Sequence, residues 1–282
     1  MAVRTSNSAT ESTVKDFKFW TGVIPYRVVA VNPTLAELNK LGIEYLQNEP
    51  EYISKQDFGR GEIVNSIVDF WVQSVKNPDL PEDLDILTNI RFRINHEEWE
   101  GSNTGKVKYI NKYGRVSGWK ARGEDLSGDK YWLNEGARVM HKGEEELHKF
   151  LFAWLNMTYD TKNKSFDECL LNIDKLVKGD FSELKELLNS AKEYVVKIPT
   201  GVQSNEKDGK IRYYQVLYNQ MFLKHSQHST NRLEEYMNKD EYTSFGTPDR
   251  PVYFTFDVQE FDKSVKPDKD PEPVTETVES VF

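Results

Sequence analysis

Apolar runs and alternating apolar and polar residues predict strands in the first third of the chain. Residues 17–31 form an apolar, aromatic run, and residues 59–75 combine β-branched with aromatic side chains, as strands do. Over residues 90–94, isoleucine or phenylalanine alternates with Arg91 and Arg93. This period of two is typical of a half-buried strand, so we expect both arginines on the face opposite the core.

Other segments follow the helical period. Three glutamates after Gly143 suit the positive start of a helix, and the apolar residues that follow recur on one face. Those apolar residues are Leu147, Phe150, Leu151, Trp154 and Leu155. Asp180 is predicted to cap another helix, and Asn32 to cap a short one that has Pro33 at its first helical position. We therefore expect a helical insertion at about residues 143–194.

Strand signals return after the helical block. They begin at residues 194–199, and an Asp208-Gly209 turn leads into the apolar and aromatic segment 210–224. Residues 251–261 predict a final strand. Strands on both sides of a helical block make the predicted fold α+β.

Residues 106–122 mix cations with aromatic rings and contain no acid. The cations are Lys106, Lys108, Lys112, Arg115, Lys120 and Arg122, and the rings between them are Tyr109, Tyr113 and Trp119. Phosphates attract lysine and arginine, and unpaired bases stack on rings, so the mixture indicates binding of a single-stranded nucleic acid. A hairpin with inward-facing rings and solvated lysines would produce the same pattern, and this segment alone does not separate the two interpretations.

Two further segments carry the same chemistry. Arg91 and Arg93 form a cationic strand before this segment, and residues 210–224 repeat the mixture. The candidate binding residues in the later segment are Lys210, Arg212, Tyr214 and Tyr218. Among all these rings, we expect Trp119 to be the main base-stacking residue.

The two ends of the chain lack hydrophobic periodicity. Residues 1–16 are rich in serine and threonine and are expected to form a flexible arm, while residues 263–282 are proline-rich and acidic and are expected to be disordered. Residues 17–262 then form a single domain. The net charge of −9 is concentrated at the C-terminus, because residues 257–282 carry eight acids and three lysines.

The composition indicates a soluble globular protein. Of the residues, 38% are hydrophobic and 12% aromatic, which is enough for a core, but no apolar run is long enough to span a membrane. The N-terminus lacks the apolar stretch of a signal peptide. The single cysteine, Cys169, cannot form an internal disulfide, which suits a reducing cytoplasm.

The sequence lacks the motifs of common enzyme classes. It has no phosphate-binding loop of the G-x-x-x-x-G-K-[ST] type, no G-x-G-x-x-G, no G-x-S-x-G and no H-E-x-x-H. The pairs His141 with His148 and His225 with His228, beside one cysteine, fall short of the three or four ligands of a zinc site. We therefore expect no enzymatic activity, no metal and no cofactor.

The acidic end, with Phe282 as its last residue after Val281, resembles the tails of single-stranded-DNA-binding proteins of bacteria and tailed phages. The segments KYINKYGRVSGW and GEEELHKFLFAWLN look like segments of phage single-strand binders. The resemblance implies an OB-like antiparallel β-barrel as the body of the protein. It also implies that the acidic tail competes with DNA for the binding groove and that Phe282 binds a replication protein such as a polymerase, helicase or primase.

The sequence thus predicts a non-enzymatic, phage-encoded protein that binds single-stranded DNA in replication, repair or recombination in the host cytoplasm. The alternative is a virion or tail-associated structural protein whose aromatic strands form subunit interfaces, since interfaces are also rich in tyrosine, tryptophan and arginine. Self-association and a preference for DNA over RNA are left open.

Overall fold

Most of the predicted strands join one large antiparallel sheet in the computed structural model of the protein. The structure describes residues 18–57, 62–95, 106–110, 116–121, 138–141, 143–156, 159–160, 165–166, 175–176, 178–207, 209–217, 222–227, 231 and 252–264. The strands are β1 (Trp20–Val31), β2 (Ile53–Asp57), β3 (Glu62–Ser74), β4 (Leu87–Asn95), β5 (Lys106–Ile110), β6 (Val116–Ala121), β7 (Arg138–Val139), β8 (Tyr159–Asp160), β9 (Ser165–Phe166), β10 (Val195–Lys207), β11 (Lys210–Leu217), β12 (Leu223–Lys224), β13 (Val252–Tyr253) and β14 (Gln259–Glu260). The helices are α1 (Leu35–Lys40), α2 (Glu144–Trp154) and α3 (Ser182–Ala191).

The large sheet is organised around three long strands. Within the described residues its main path of neighbours is β11-β10-β1-β3-β2. Strand β4 pairs with β3 on the side opposite β1 and β2, β12 and β13 pair with β10, and β14 pairs with β1. Strands β6, β5 and β7 form a separate three-stranded sheet, and β8 pairs with β9.

Helix α2 covers the inner face of the large sheet. The ring of Phe150 lies 4.6 Å from that of Phe70 on β3, 5.6 Å from that of Phe92 on β4 and 5.0 Å from that of Phe222, measured between centroids. All the apolar positions predicted for this helical face are buried or partly buried in the same core. Burying a large apolar side chain contributes about 1.5–3 kcal/mol, so this face fixes α2 against the sheet.

Residues 252–261, here called the C-terminal strap, pair with the ends of both β1 and β10. The two long strands pair with each other from Gly22 to Arg27 and from Val195 to Thr200, and the strap pairs with residues beyond these stretches. Its β13 pairs with β10, its β14 pairs with β1, and the Val23 N–H donates to the Phe256 carbonyl at 3.1 Å. The strap therefore extends the sheet at the ends of β1 and β10 that do not pair with each other.

Two glycines allow the strap to pass close to the sheet. A Cβ atom at Gly22, whose φ is +133°, would lie 2.6 Å from the Val258 Cα, and one at Gly201 would lie 2.6 Å from the Tyr253 carbonyl oxygen. Real Cβ atoms essentially never come this close to backbone atoms. No side chain fits at either position without displacing the strap.

The α+β class and the main strands of the prediction are confirmed, and helix α2 begins directly after Gly143, as predicted. The predicted strand over residues 251–261 is wrong as one element, because the strap crosses from β10 to β1 and forms only two short strands. The pairings described do not close the large sheet. The predicted arm lies outside the described residues, as does the acidic tail beyond Ser264.

Asn32 is not the N-cap of α1, as its sequence had suggested. Thr34 has that role, because its side chain accepts a hydrogen bond from the Glu37 N–H and the Glu37 carboxylate accepts one from the Thr34 N–H. Asn32 instead has a left-handed φ of 44°, and its side-chain amide bonds to the backbone of β3 at Ile67 and Asp69.

We expect Gly22→Ala to destabilise the protein more than Gly209→Ala does. Both glycines have positive φ, which costs a non-glycine residue roughly 1–2 kcal/mol, but only the Cβ at residue 22 would collide with backbone atoms. Displacing the strap should add about 1–3 kcal/mol. Urea denaturation of both variants measures the difference, and equal losses of stability would contradict the close passage of the strap.

Candidate nucleic-acid interface

The two predicted arginines of β4 lie on the outer face of the sheet, opposite the core. Ile90, Phe92 and Ile94 are buried, whereas Arg91 and Arg93 are exposed. This confirms the alternation that the sequence predicts for the strand.

Arg91 has a partner that the sequence did not indicate. Its Nη2 donates to Asp69 Oδ2 at 2.8 Å, from the position directly across on β3. Asn89 Nδ2 donates to the other carboxylate oxygen, Asp69 Oδ1, at 2.7 Å. The Asp69 side chain is only 2% exposed, while that of Arg91 is 47% exposed. A buried carboxylate thus holds one side of a guanidinium that otherwise faces solvent.

Burial raises the pKa of the Asp69 carboxyl above its ordinary value. The Arg91 guanidinium opposes this shift, as do the hydrogen bonds from Arg91 and Asn89, but burial prevails. The charge of Asp69 also acts on two tyrosines, Tyr45 and Tyr52. Burial is the main cause that raises their pKa values, and the negative charge of Asp69 raises them further. The Tyr52 hydroxyl also donates to the Pro33 carbonyl at 2.6 Å.

The hairpin of β5 and β6 contains a second group of predicted residues. Tyr109 is only 7% exposed, so its ring is not presented to solvent. Lys108 Nζ lies 3.0 Å from Glu145 Oε2 on α2. Trp119 stands across from Lys108 in the strand register, and Lys120 across from Val107. Part of this hairpin therefore packs against the rest of the protein.

Of the other residues predicted for this segment, the structure describes only the backbone of Lys106. Lys106 belongs to β5 and pairs with Ala121 in the register. Lys112, Tyr113, Arg115 and Arg122 lie outside the described residues, and so do Tyr218 and Phe282.

The hairpin of β10 and β11 presents the third group. Lys210, Arg212 and Tyr214 occupy alternate positions of β11, and they pair with Lys207, Asn205 and Gln203 of β10. Lys207, Lys210 and Arg212 are exposed, and Tyr214 is partly exposed. Because residues that pair across strands share a face of the sheet, three exposed cations and one ring lie on the same side of this hairpin. We call this set the hairpin strip.

A cluster of rings beside the hairpin strip was not predicted. Tyr213 points to the other face of β11, where its ring lies 5.4 Å from that of Phe261 and 6.3 Å from that of Phe19. Lys263 Nζ lies 5.4 Å from the centroid of Phe19, and the Lys263 carbonyl accepts a hydrogen bond from the Tyr213 hydroxyl at 3.2 Å. The strap therefore ends beside β11, at the point where the acidic tail begins.

The structure groups the predicted residues on three surfaces: the outer face of β4, the β5–β6 hairpin and the hairpin strip. Sequence reasoning missed Asp69 and Tyr45 at the first surface and Lys207 at the third. The sequence did contain a signal for Asp69, because an aspartate between the apolar residues of a strand is rarely buried without a partner. The position of Lys207 could have been predicted from the register of the hairpin, in which it pairs with Lys210.

Comparisons with known proteins give no relatives. No protein-family model matches the chain, no curated protein matches it, and no solved structure matches it. In the described ranges no group of three or more His, Cys, Asp and Glu residues is placed to hold a metal ion. None of the helices in those ranges has the length and apolar character needed to cross a membrane.

We expect Asp69→Asn to stabilise the protein increasingly as the pH is raised from strongly acidic to neutral. The pKa of Asp69 is raised in the folded state, so folding favours the protonated form, and this contribution is lost as the pH rises through the folded-state pKa. Asparagine cannot ionise, so the variant escapes this loss. Urea denaturation of variant and wild type over a pH series measures the difference, and a constant or falling difference would show that Arg91 and Asn89 outweigh burial.

Proposed function

We propose that this protein binds single-stranded DNA, without catalysis, in DNA replication or recombination. Lysine and arginine hold phosphates, and aromatic rings stack on bases. The hairpin strip is the observation that carries the proposal, because Lys207, Lys210 and Arg212 are exposed and lead to the ring of Tyr214 on one face.

The arginines of β4 support the same function. An arginine fork that a buried carboxylate holds in place is suited to a phosphate, since a planar guanidinium can donate two parallel hydrogen bonds to one anion. Arg93, two residues along on the same face, is also exposed. The β5–β6 hairpin contributes less in this proposal, because Tyr109 is buried and Lys108 is paired with Glu145. An OB-like barrel with a helical insertion stays a prediction within it.

The position of the strap supports a role for the acidic tail. Lys263, close to the end of the described residues, accepts a hydrogen bond from Tyr213, which points to the face of β11 opposite Arg212 and Tyr214. A disordered segment of 18 residues, which is what the sequence predicts for residues 265–282, reaches about 25 Å on average, so its carboxylates would be concentrated near the hairpin strip. We propose that the tail competes with DNA there and that Phe282 binds a replication protein.

Replacing both Lys210 and Arg212 by alanine should weaken binding to oligo(dT) and reduce its salt dependence. Each phosphate contact with a single strand contributes about 0.7 to the slope of log affinity against log salt, so losing two contacts should lower the slope by about 1.4. Fluorescence anisotropy of labelled oligo(dT) over a salt series measures both effects.

Replacing Lys40 and Lys192 by alanine is the matched control, because both are exposed cations at the ends of helices and neither belongs to β10 or β11. Similar slopes for the two double variants would remove the hairpin strip from the proposal. If the wild-type protein fails to bind oligo(dT) even at low salt, the binding function itself is wrong, and the structural alternative with aromatic subunit interfaces takes its place.

Deleting residues 265–282 should tighten binding to oligo(dT), most strongly at low salt, because charges are least screened there. Deleting Phe282 alone should leave DNA affinity unchanged, since the carboxylates remain, but should abolish capture of the replication partner. Anisotropy titrations of the three proteins test the first statement. Equal affinity of the full and shortened chains at every salt concentration would show that the tail does not compete with DNA.

A further inference from the structure

We propose that Tyr45, Arg91 and Arg93 form a nucleotide-binding site on the outer face of the sheet, in which Tyr45 stacks on a base and the arginines hold adjacent phosphates. Asp69 is the positioning residue that fixes Arg91. This inference rests on the proposed function and adds to it a specific base-stacking ring, Tyr45, and a residue, Asp69, that acts without touching DNA.

The burial of Asp69 is the first step. Removing a carboxylate from water is unfavourable, and even a well-formed buried ion pair is weak evidence of stabilisation. The pKa of Asp69 stays raised in spite of its two partners, so the local balance does not favour the charge. Such a residue is explained if its purpose is to orient the group that it binds.

The group that Asp69 orients is directed outward. The Arg91 guanidinium has five N–H donors in a rigid plane, and one edge is anchored through Nη2 to Asp69. Since 47% of the side chain remains exposed, the other donors are accessible to a ligand. Arg93 projects from the same face two residues, or about 6.7 Å, along the strand. Two cations spaced along an extended backbone suit successive phosphates of an extended nucleic acid.

Tyr45 provides the aromatic surface. It is 59% exposed, more than any other large hydrophobic side chain in the part of the chain that the structure describes. Its pKa is nevertheless raised, first by burial of the hydroxyl and then by the charge of Asp69, while Arg91 acts in the opposite sense. The charges of Asp69 and Arg91 therefore act on the Tyr45 hydroxyl, and more than half of the residue is exposed to solvent. An exposed ring beside a fixed guanidinium is the arrangement needed to bind one nucleotide.

Trp71 adds a polar atom on the same face. It lies two residues from Asp69 on β3 and directly across from Asn89, so it shares their face of the sheet. Its Nε1 is buried without a hydrogen-bond acceptor. Buried donors are nearly always paired, but this nitrogen has no surface open to solvent, so the proposed site makes no use of it.

The decisive experiment compares Asp69→Asn with Asp79→Asn in oligo(dT) binding. Both changes remove one negative charge, and Asp79 is an exposed residue of the segment between β3 and β4. If affinity depended only on overall charge, both variants would bind oligo(dT) equally or more tightly than wild type. If Asp69 positions Arg91, Asp69→Asn should instead weaken binding several-fold while leaving the salt slope unchanged, because the Arg91 charge is retained.

Variants of Tyr45 test the stacking ring. Tyr45→Ala should weaken binding about 5- to 150-fold, the range expected for loss of one stacked base, whereas Tyr45→Phe should bind like wild type because it keeps the ring. Tyr194→Ala is the matched control, since Tyr194 is another tyrosine with about half of its surface exposed (47%). Thermal melts of each variant establish the folded fraction used in the affinity calculation.

The outcomes separate this inference from the proposed function. Suppose that wild type binds oligo(dT), but that Tyr45→Ala has the same affinity as Tyr194→Ala, and Asp69→Asn the same affinity as Asp79→Asn. The proposed site on β4 is then wrong, and the hairpin strip is still the proposed binding surface. If wild type does not bind at low salt, both proposals fail. Weaker binding by Tyr45→Ala and Asp69→Asn, with normal binding by the two controls and by Tyr45→Phe, supports the site.

Discussion

The contact between the rings of α2 and those of β3 and β4 determines which face of the sheet is available for binding. Phe150 packs against Phe70 and Phe92, and Trp154 lies 5.8 Å from Phe70. Because successive residues of a strand point to opposite faces, burying these rings beneath α2 forces Asp69, Arg91 and Arg93 to the other side. The polar and charged residues of the outer face therefore lie there because they alternate with the apolar residues that form the core.

Local patterns were sufficient for much of the fold. The alternation in β4, the apolar stripe of α2 and the hairpin of β10 and β11 each depend on neighbours within a few residues, and the structure has all three. Long-range partners were beyond such patterns. The side-chain amide of Gln215 replaces a strand by bonding to the backbone of Trp20 and Gly201, and nothing near Gln215 in the sequence indicates this.

The candidate site shows the same division. The sequence identified the cations and rings, because the charge or aromatic character of a side chain follows from its residue type alone. It could not tell an exposed ring from a buried one, since Tyr109 and Tyr214 each have a cation within two residues but only Tyr109 is deeply buried. It also missed Asp69 and Tyr45, because their significance depends on Arg91, which is 22 positions beyond Asp69 and reaches it only through strand pairing.

The C-terminal strap has a consequence for the order of folding. The start of β1 pairs with β14 of the strap, so this pairing needs residues more than two hundred positions later in the chain. Contacts of such high sequence separation make folding slow, because a long loop must close before they form. While the chain emerges from the ribosome, the backbone groups of β1 near Thr21 therefore have no strand partner until Gln259 has been synthesised. During that interval they form an open strand edge, the kind of surface on which chaperones act and aggregation begins.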